Sequence, residues 1–583
     1  MTRVQHAFAE QVSEDTPFDR LLHAGMGRLT GGISPTALQL AFFDWAAHLA
    51  TNPGRQTALA EKAMRKSLRL AGYAGHCLSG DDQGRCIEPL ADDQRFDAAA
   101  WQQWPFSLIY QGFLLQQQWW HVATTGVPGV DPHHEEVVNF SVRQMLDVFS
   151  PSNFLPTNPE VLERTLQENG WNLVRGASNA LEDLEREVGG HPEKGSEAFQ
   201  VGEDLALTPG KVVHRNALME LIQYSPTTET VHPEPVLIVP AWIMKYYILD
   251  LRPGRSLVEY LVGQGHTVFM VSWKNPGPAD RERGMADYRR LGVNDALSAV
   301  KTIVPDQKVH GVGYCLGGTL LTLAAAAMAR EDDDSFATIS MLAAQTDFTE
   351  PGELDLFIDE SQVSFLEDVM WARGYLGRDE MAGAFQLLRS QDLVWSRLIR
   401  HYLMGEREGL FDLMAWNADA TRLPYRMHSE YLRDLFLHND LVEGRYVIDG
   451  HPIAVGDING PIFSVATQKD HIAPWRSVYK IVRLARTPVT FLLTRGGHNA
   501  GIVSEPGHPR RHYQIADFEP LGTAYPAERF EQELDTHEGS WWPAWQQWLA
   551  DRSSEPVAPP AMGAPEAGYV PTADAPGEYV LMK

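Results

Sequence analysis

The pentapeptide Gly313-Tyr314-Cys315-Leu316-Gly317 constrains the fold of this chain more than any other stretch. It has the G-x-S-x-G form of a nucleophile elbow, with cysteine at the central position. An apolar run, Val309 to Tyr314, leads into it, and a Leu/Ala-rich stretch, Leu316 to Arg330, follows. Strand, sharp turn and helix in that order lift the central side chain to the top of a parallel sheet. Glycines flank the turn where backbones approach too closely for a Cβ. Free cysteines are commonly small buried core residues, but this ordered context points to a nucleophile at Cys315.

A chain of 583 residues exceeds what one compact core usually holds, so at least two domains are expected. The formal charge of -27 argues against nucleic acid or an anionic membrane as the main partner. The three cysteines, Cys77, Cys86 and Cys315, are too few and oddly numbered for a disulfide framework, which fits a reducing compartment. Cys77, Cys86 and His76 lack the ligand number and spacing of a metal site, so no metal is expected. Residues 1–15 carry no apolar signal-peptide core, and Ala37 to Ala50 is too short and too polar to span a bilayer. A cytoplasmic location without a transmembrane segment is expected.

Residues 1–190 read as a mostly helical N-terminal domain. Ser34-Pro35 opens a helix as N-cap and first-turn proline, and Asn52-Pro53-Gly54 closes it. Ala98 to His121 is crowded with aromatics, among them Trp101, Trp104, Phe106, Tyr110, Phe113, Trp119 and Trp120. These either face a core on the next domain or offer an apolar docking surface. Gly189 to Gly195 reads as a linker. In residues 191–551, short β-rich runs alternate with helices, as in a parallel α/β sheet buried on both faces. The predicted strands are Val236–Val239, Thr267–Ser272, Lys308–Gly313, Ala337–Leu342, Ile462–Thr467 and Val489–Leu493, with helices such as Ser256–Val262 between them. From Asp347 to about Val442 the alternation stops in favour of a helical, aromatic-rich cap. The tail, residues 552–583, has six prolines and reads as disordered or weakly docked.

A cysteine nucleophile needs a base and an acid. In the α/β-hydrolase arrangement these follow the nucleophile as acid, then His, each after a late strand. Asp470 follows Ile462–Thr467 and His498 follows Val489–Leu493, so Cys315, Asp470 and His498 fit in order and placement. His498 would take the thiol proton and Asp470 would orient the imidazole. His471 is the rival base, and His310, inside the elbow strand, reads as structural. The Leu316 N–H and the turn Ala241-Trp242-Ile243 are the expected oxyanion donors. His471, Trp416, Asn499 and Ala500 complete the candidate substrate contacts. A Cys–acyl bond is a thioester, so loading it from an acyl-CoA is nearly neutral and reversible. Cysteine therefore suits acyl transfer better than ester hydrolysis.

GYCLGGT at Cys315, KDHIAPWRSVY at Asp470 and GGHNAG at His498 resemble motifs of the polyhydroxyalkanoate synthases. So do TPGKVVHRNALMELIQYSP (208–226), SPSNFLPTNPEV (150–161) and DFTEPGEL (347–354). The long N-terminal region resembles the single-component, class I-like type. The resemblance implies an α/β-hydrolase-like catalytic domain with a helical cap and a helical N-terminal domain acting in attachment and assembly. It implies polymerisation of (R)-3-hydroxyacyl-CoA with release of CoA, the chain being carried on Cys315. It further implies a homodimer at the surface of polyester granules, and no cofactor beyond the CoA that enters with the substrate. Three positions depart from the family pattern: Ala241 and Met244, where Pro and Asn are usual, and Asn499, where an aliphatic residue is more common. A cysteine thioesterase or depolymerase on the same fold, and a non-catalytic granule protein, are the alternatives.

Overall fold

The computed structural model describes residues 17–583 except 80–83, 91–92, 190, 192–193, 379, 382–389, 391–393, 408, 521 and 523. Residues 1–15, part of the 189–195 linker and part of the 347–442 insertion thus lie outside the described residues. The chain forms two units. One comprises Met1–Leu29, Ser196–Glu380 and Leu410–Lys583, the other Thr30–Gly195 and Met381–Gly409.

The first unit is built on an eleven-stranded sheet. Its strands in chain order are β1 Gly210–Arg215, β2 Met219–Tyr224, β3 His232–Val239, β4 His266–Trp273, β5 Val309–Tyr314 and β6 Phe336–Leu342. They continue as β7 Ile462–Thr467, β8 Val489–Thr494, β9 His512–Phe518, β10 His537–Glu538 and β11 Ala573–Asp574. The order across the sheet is β10-β9-β8-β7-β6-β5-β3-β4-β2-β1-β11. The six middle strands, β8 to β4, pair in parallel, and the outer strands pair antiparallel. Every residue of β4, β5, β7 and β8 is buried, which is why they read as continuous apolar runs without alternation. Five of the six predicted strands lie within these middle strands, and Lys308–Gly313 is offset from β5 by one residue. The predicted helix at 256–262 is Leu257–Gly263, whose N-cap Ser256 accepts the Glu259 N–H through its hydroxyl. Trp541, Trp542 and Trp545 are fully buried on one sheet face, and the Trp545 indole donates to Ser340 Oγ of β6 (2.9 Å).

The 347–442 insertion is divided rather than single. Its ends, with the helix Glu360–Arg373 and the helical run Tyr425–Leu437, belong to the sheet unit, while 381–409 belong to the other. In that second unit the Asn172 amide donates to the Leu403 carbonyl, and the Arg407 guanidinium pairs with Asp183 at 2.9 Å. The predicted N-cap at Ser34 forms, accepting the Ala37 N–H at 3.2 Å. Trp101, Tyr110 and Phe113 bury with Phe96 in the unit's own core, beneath the Arg95 guanidinium. Of the aromatic run Trp104 is exposed.

The tail corrects the expectation of disorder. Val557 exchanges both backbone hydrogen bonds with Val231, β11 extends the sheet beside β1, and Val580 is buried. Buried carboxylates hold its backbone: Glu234 accepts the Ser554 N–H, and Glu220 accepts those of Glu578 and Tyr579. A proline-rich strap without periodicity gives no local signal. Its partners are strand edges and buried acids elsewhere in the chain.

Candidate active site

Cys315, Asp470 and His498 follow β5, β7 and β8, so all three sit at the C-terminal ends of parallel strands, where such sheets place their ligands. Cys315 has φ +52° and ψ -125°, a conformation costly for a non-glycine residue and held by its surroundings. Its N–H donates to the Leu342 carbonyl at 2.9 Å. A Cβ on Gly317 would collide with the Val239 carbonyl oxygen, and one on Gly313 with the Gly318 backbone. Only glycine lets β5, the helix Leu316–Arg330 and the end of β3 close so tightly.

Asp470 is spanned on both oxygens. Oδ1 accepts the Ile472 and Ala473 N–H groups (2.9 and 2.8 Å), and Oδ2 accepts the Thr467 hydroxyl (3.0 Å) and His498 Nδ1–H (2.8 Å). Burial alone would raise its pKa, but the His498 cation and these donors outweigh burial and hold it below the usual carboxylate value. His498 shows the converse. Burial would lower it, but Asp470 and Cys315, each by charge and by hydrogen bond, hold it well above 6.5. With Nδ1 committed to Asp470, Nε2 is the nitrogen left to Cys315. The loop carrying His498 is pinned by tryptophans: the Trp541 indole donates to the Gly501 carbonyl and that of Trp542 to Ile502, both at 3.0 Å.

The other predicted residues sort differently. Leu316 begins the helix after Cys315. Ala241 and Trp242 are buried in the turn after β3, Ile243 is half-buried, and the Gly317 backbone lies against Val239 and Pro240. Trp416 braces this turn from the insertion, its indole donating to the Lys245 carbonyl at 2.7 Å; it is a buried core residue rather than an open substrate contact. His471 lies outside the Asp470–His498 pair, and its carbonyl accepts the Glu353 N–H. The departure Asn499 has a partner, accepting the Tyr314 hydroxyl at 2.7 Å, and the Tyr314 ring lies 5.7 Å from that of His498. Ala500 is half-buried in the same loop. His310 is internal, bonded to Thr338 and Ser553.

Two site residues escaped the sequence reading. Thr467, at the end of β7, secures Asp470; a hydroxyl ending an apolar strand was the available signal. Tyr431, from the insertion, is packed against Phe348 and Phe436, and its hydroxyl is pushed well above the usual phenol value by burial and then by Cys315. Only tertiary packing brings it there.

Fold and site together define an α/β-hydrolase-fold enzyme with cysteine at the elbow. Residues 234–504 match the family model described as alpha/beta hydrolase fold. Residues 13–55 and 92–261 match models of the poly-beta-hydroxybutyrate polymerase N terminal region. The chain is 42% identical over 501 residues to "Poly(3-hydroxyalkanoate) polymerase" of Methylorubrum extorquens, covering 85% of this chain and 82% of that one. It is 35% identical over 498 residues to "Poly(3-hydroxyalkanoate) polymerase subunit PhaC" of Cupriavidus necator, covering 84% and 83%. The chain belongs to the poly(3-hydroxyalkanoate) polymerase family.

Proposed function

We propose that this polymerase takes (R)-3-hydroxyacyl-CoA and builds polyester through acyl groups held on Cys315. His498 Nε2 accepts the Cys315 proton, and the thiolate attacks the thioester carbonyl of the substrate. The Leu316 N–H and an N–H of the Ala241-Trp242-Ile243 turn after β3 receive the developing oxyanion. Coenzyme A leaves with the proton from His498, and the Cys–acyl thioester remains. The 3-hydroxyl of an incoming (R)-3-hydroxyacyl-CoA, deprotonated by His498, then attacks the Cys315 thioester; the C–S bond breaks, the Cys315 thiolate leaves and recovers the proton from His498, and the chain, one ester bond longer and now a CoA thioester, is taken back onto Cys315 with release of CoA. Thioester-to-thioester loading is nearly neutral, and ester formation from a thioester is downhill, so the cycle needs no cofactor or metal.

The observation that carries this reading is Cys315 at a positive-φ elbow, electrostatically coupled to a buried His498 that is bonded to Asp470 at 2.8 Å. Its test is the product formed from (R)-3-hydroxybutyryl-CoA. High-mass polyester with stoichiometric CoA supports it; free 3-hydroxy acid as the main product assigns a thioesterase instead.

Work as a homodimer at a cytoplasmic granule surface is part of the same proposal. Among the described residues no helix is long and apolar enough to cross a membrane. The helix Trp171–Val188 exposes Trp171, Val174, Leu181, Leu184 and Val188 along one side, apolar area of the kind a polyester surface would cover. Loss of granule co-sedimentation on Trp171→Glu with Leu181→Glu, with CoA release retained, is the expected result.

A further inference from the structure

One hydrogen bond joins the residue before Cys315 to the residue after His498. Tyr314, the last residue of β5, donates its hydroxyl to Asn499 Oδ1 at 2.7 Å. Its ring lies 5.7 Å from the His498 ring, the two planes tilted by 33°. Tyr314 is 2% exposed, so its hydroxyl needs an acceptor inside the protein, and Asn499 supplies it. Burial, foremost, then Cys315 and Asp470 hold that hydroxyl well above the usual phenol value, so it remains a donor. An aliphatic residue, more common at this position in the family, has no acceptor to offer. The bond therefore belongs to this chain's own departure from the pattern.

The loop that carries His498 is held behind and in front. Behind, Trp541 and Trp542 bond the Gly501 and Ile502 carbonyls, and the Asn499 carbonyl accepts the Ile502 and Val503 N–H groups, both at 3.1 Å. In front, the imidazole is bonded at Nδ1 to Asp470. A ring held by one hydrogen bond can still pivot about it, and pivoting moves Nε2 relative to Cys315. Tyr314 opposes that motion in two ways. Its ring lies beside the imidazole, and its hydroxyl ties down the residue next to His498. Tyr314 is itself fixed: β5 is buried throughout, and the next N–H, that of Cys315, donates to the Leu342 carbonyl at 2.9 Å. Cys315 and His498 thus hang on one frame.

We infer that Tyr314 and Asn499 are positioning residues: their hydrogen bond locks the His498 loop to the elbow and keeps Nε2 at Cys315 through repeated proton transfers. The inference rests on the acyl-transfer reading given above, in which His498 takes a proton first from Cys315 and then from a 3-hydroxyl. The lock acts through His498, so its loss should slow the proton-transfer steps and leave substrate binding nearly intact. The family pattern accommodates an aliphatic residue at 499, so the expected loss is partial rather than complete. A purely structural pair would lower stability and leave the rate per folded molecule unchanged.

The test uses the purified full-length chain, CoA release from (R)-3-hydroxybutyryl-CoA, and alkylation of Cys315 by iodoacetamide at pH 7.5, read by mass spectrometry. Iodoacetamide reacts with the thiolate, which in that reading His498 forms, and the measurement needs no substrate. Cys77, half-buried like Cys315 but in the other unit, is the internal reference. Tyr314→Phe and Asn499→Ile are each expected to lower kcat about fivefold with KM within about twofold. Each should also slow Cys315 alkylation about threefold and leave that of Cys77 unchanged. Combining them does no more harm than the more damaging single change, because both break one bond. Full kcat or an unchanged Cys315 alkylation rate in folded Tyr314→Phe overturns the inference, as do losses that multiply in the combination. If Asn499→Ile does not fold, Tyr314→Phe decides alone: a fall in both readouts supports the lock, and either one unchanged overturns it. Turnover by Cys315→Ala would sink the acyl-transfer reading itself, whereas an inactive Cys315→Ala beside an unaffected Tyr314→Phe sinks the lock alone.

Discussion

Both ends of the central sheet bury histidines, and they put them to opposite uses. At the C-terminal ends of the strands His498 is bonded to Asp470 and held well above its ordinary pKa. At the other end His266, which opens β4, stacks on His232 with ring centroids 4.7 Å apart, and His310 lies inside β5 between Thr338 and Ser553. Burial, foremost, pushes His266 down to about 3 and His310 to about 4. The difference teaches that burial does not decide the charge of a histidine here. A carboxylate in direct contact does. Glu234 lies near His310 and raises it somewhat, but that carboxylate is spent on the Ser554 backbone and hydroxyl of the tail. One end of the sheet holds a histidine set up to carry a proton, the other a set of neutral packing groups.

The sharpest way to break this contrast is at the nucleophile. Cys315→Ala should abolish CoA release, while Cys77→Ala and Cys86→Ala, in the other unit, leave it intact; an acyl-CoA turnover assay on the three variants decides. Next, Asp470→Asn should leave His498 in the situation of His266, buried without a counter-charge. A loss in kcat on the order of a hundredfold or more is expected, and His498→Ala should lose at least as much, with His471→Ala close to wild type. A His471→Ala more damaging than His498→Ala would exchange the two roles.

The opposite end of the sheet predicts a stability effect without a rate effect. The folded pKa values of His266 and His310 lie below the unfolded 6.5, so the stability they contribute is fully present above pH 6.5. It is lost as pH falls from there through about 4 for His310 and about 3 for His266, since the unfolded chain takes up the protons first. His266→Phe should shift the acid unfolding midpoint down by about half a pH unit, followed by tryptophan fluorescence, with kcat at pH 7.5 unchanged. An unchanged midpoint would mean that the neutral histidines are not what limits acid stability. The smallest effect belongs to Thr467→Val. Removing one of four donors to Asp470 should cost less than about tenfold in kcat, read in the same CoA assay.

Much of the catalytic end was legible because its signals are local. An elbow needs its glycines within two residues of the nucleophile, and buried parallel strands need short apolar runs, so the middle strands and the order Cys315, Asp470, His498 could be read along the chain. The outer antiparallel strands were missed: β1 and β2 carry Lys211, His214, Arg215 and Glu220, and β10 and β11 are two residues each. Such strands exist through their neighbours rather than through a pattern of their own. The aromatic run at 98–121 was legible as apolar but not as to where it goes. Phe96 and Arg95, which complete its cluster, precede the run and signal nothing by themselves.

By itself, then, the sequence determined the cysteine elbow, the general form of the sheet and the family motifs, because each depends on residues close together in the chain. Tertiary structure alone decided the division of the insertion between two units, the approach of Tyr431 to Cys315 and the docking of the tail beside Lys245. These depend on backbone carbonyls and buried charges whose partners lie more than a hundred residues away, and no local pattern encodes a hydrogen bond from Lys245 to the carbonyl of Met582.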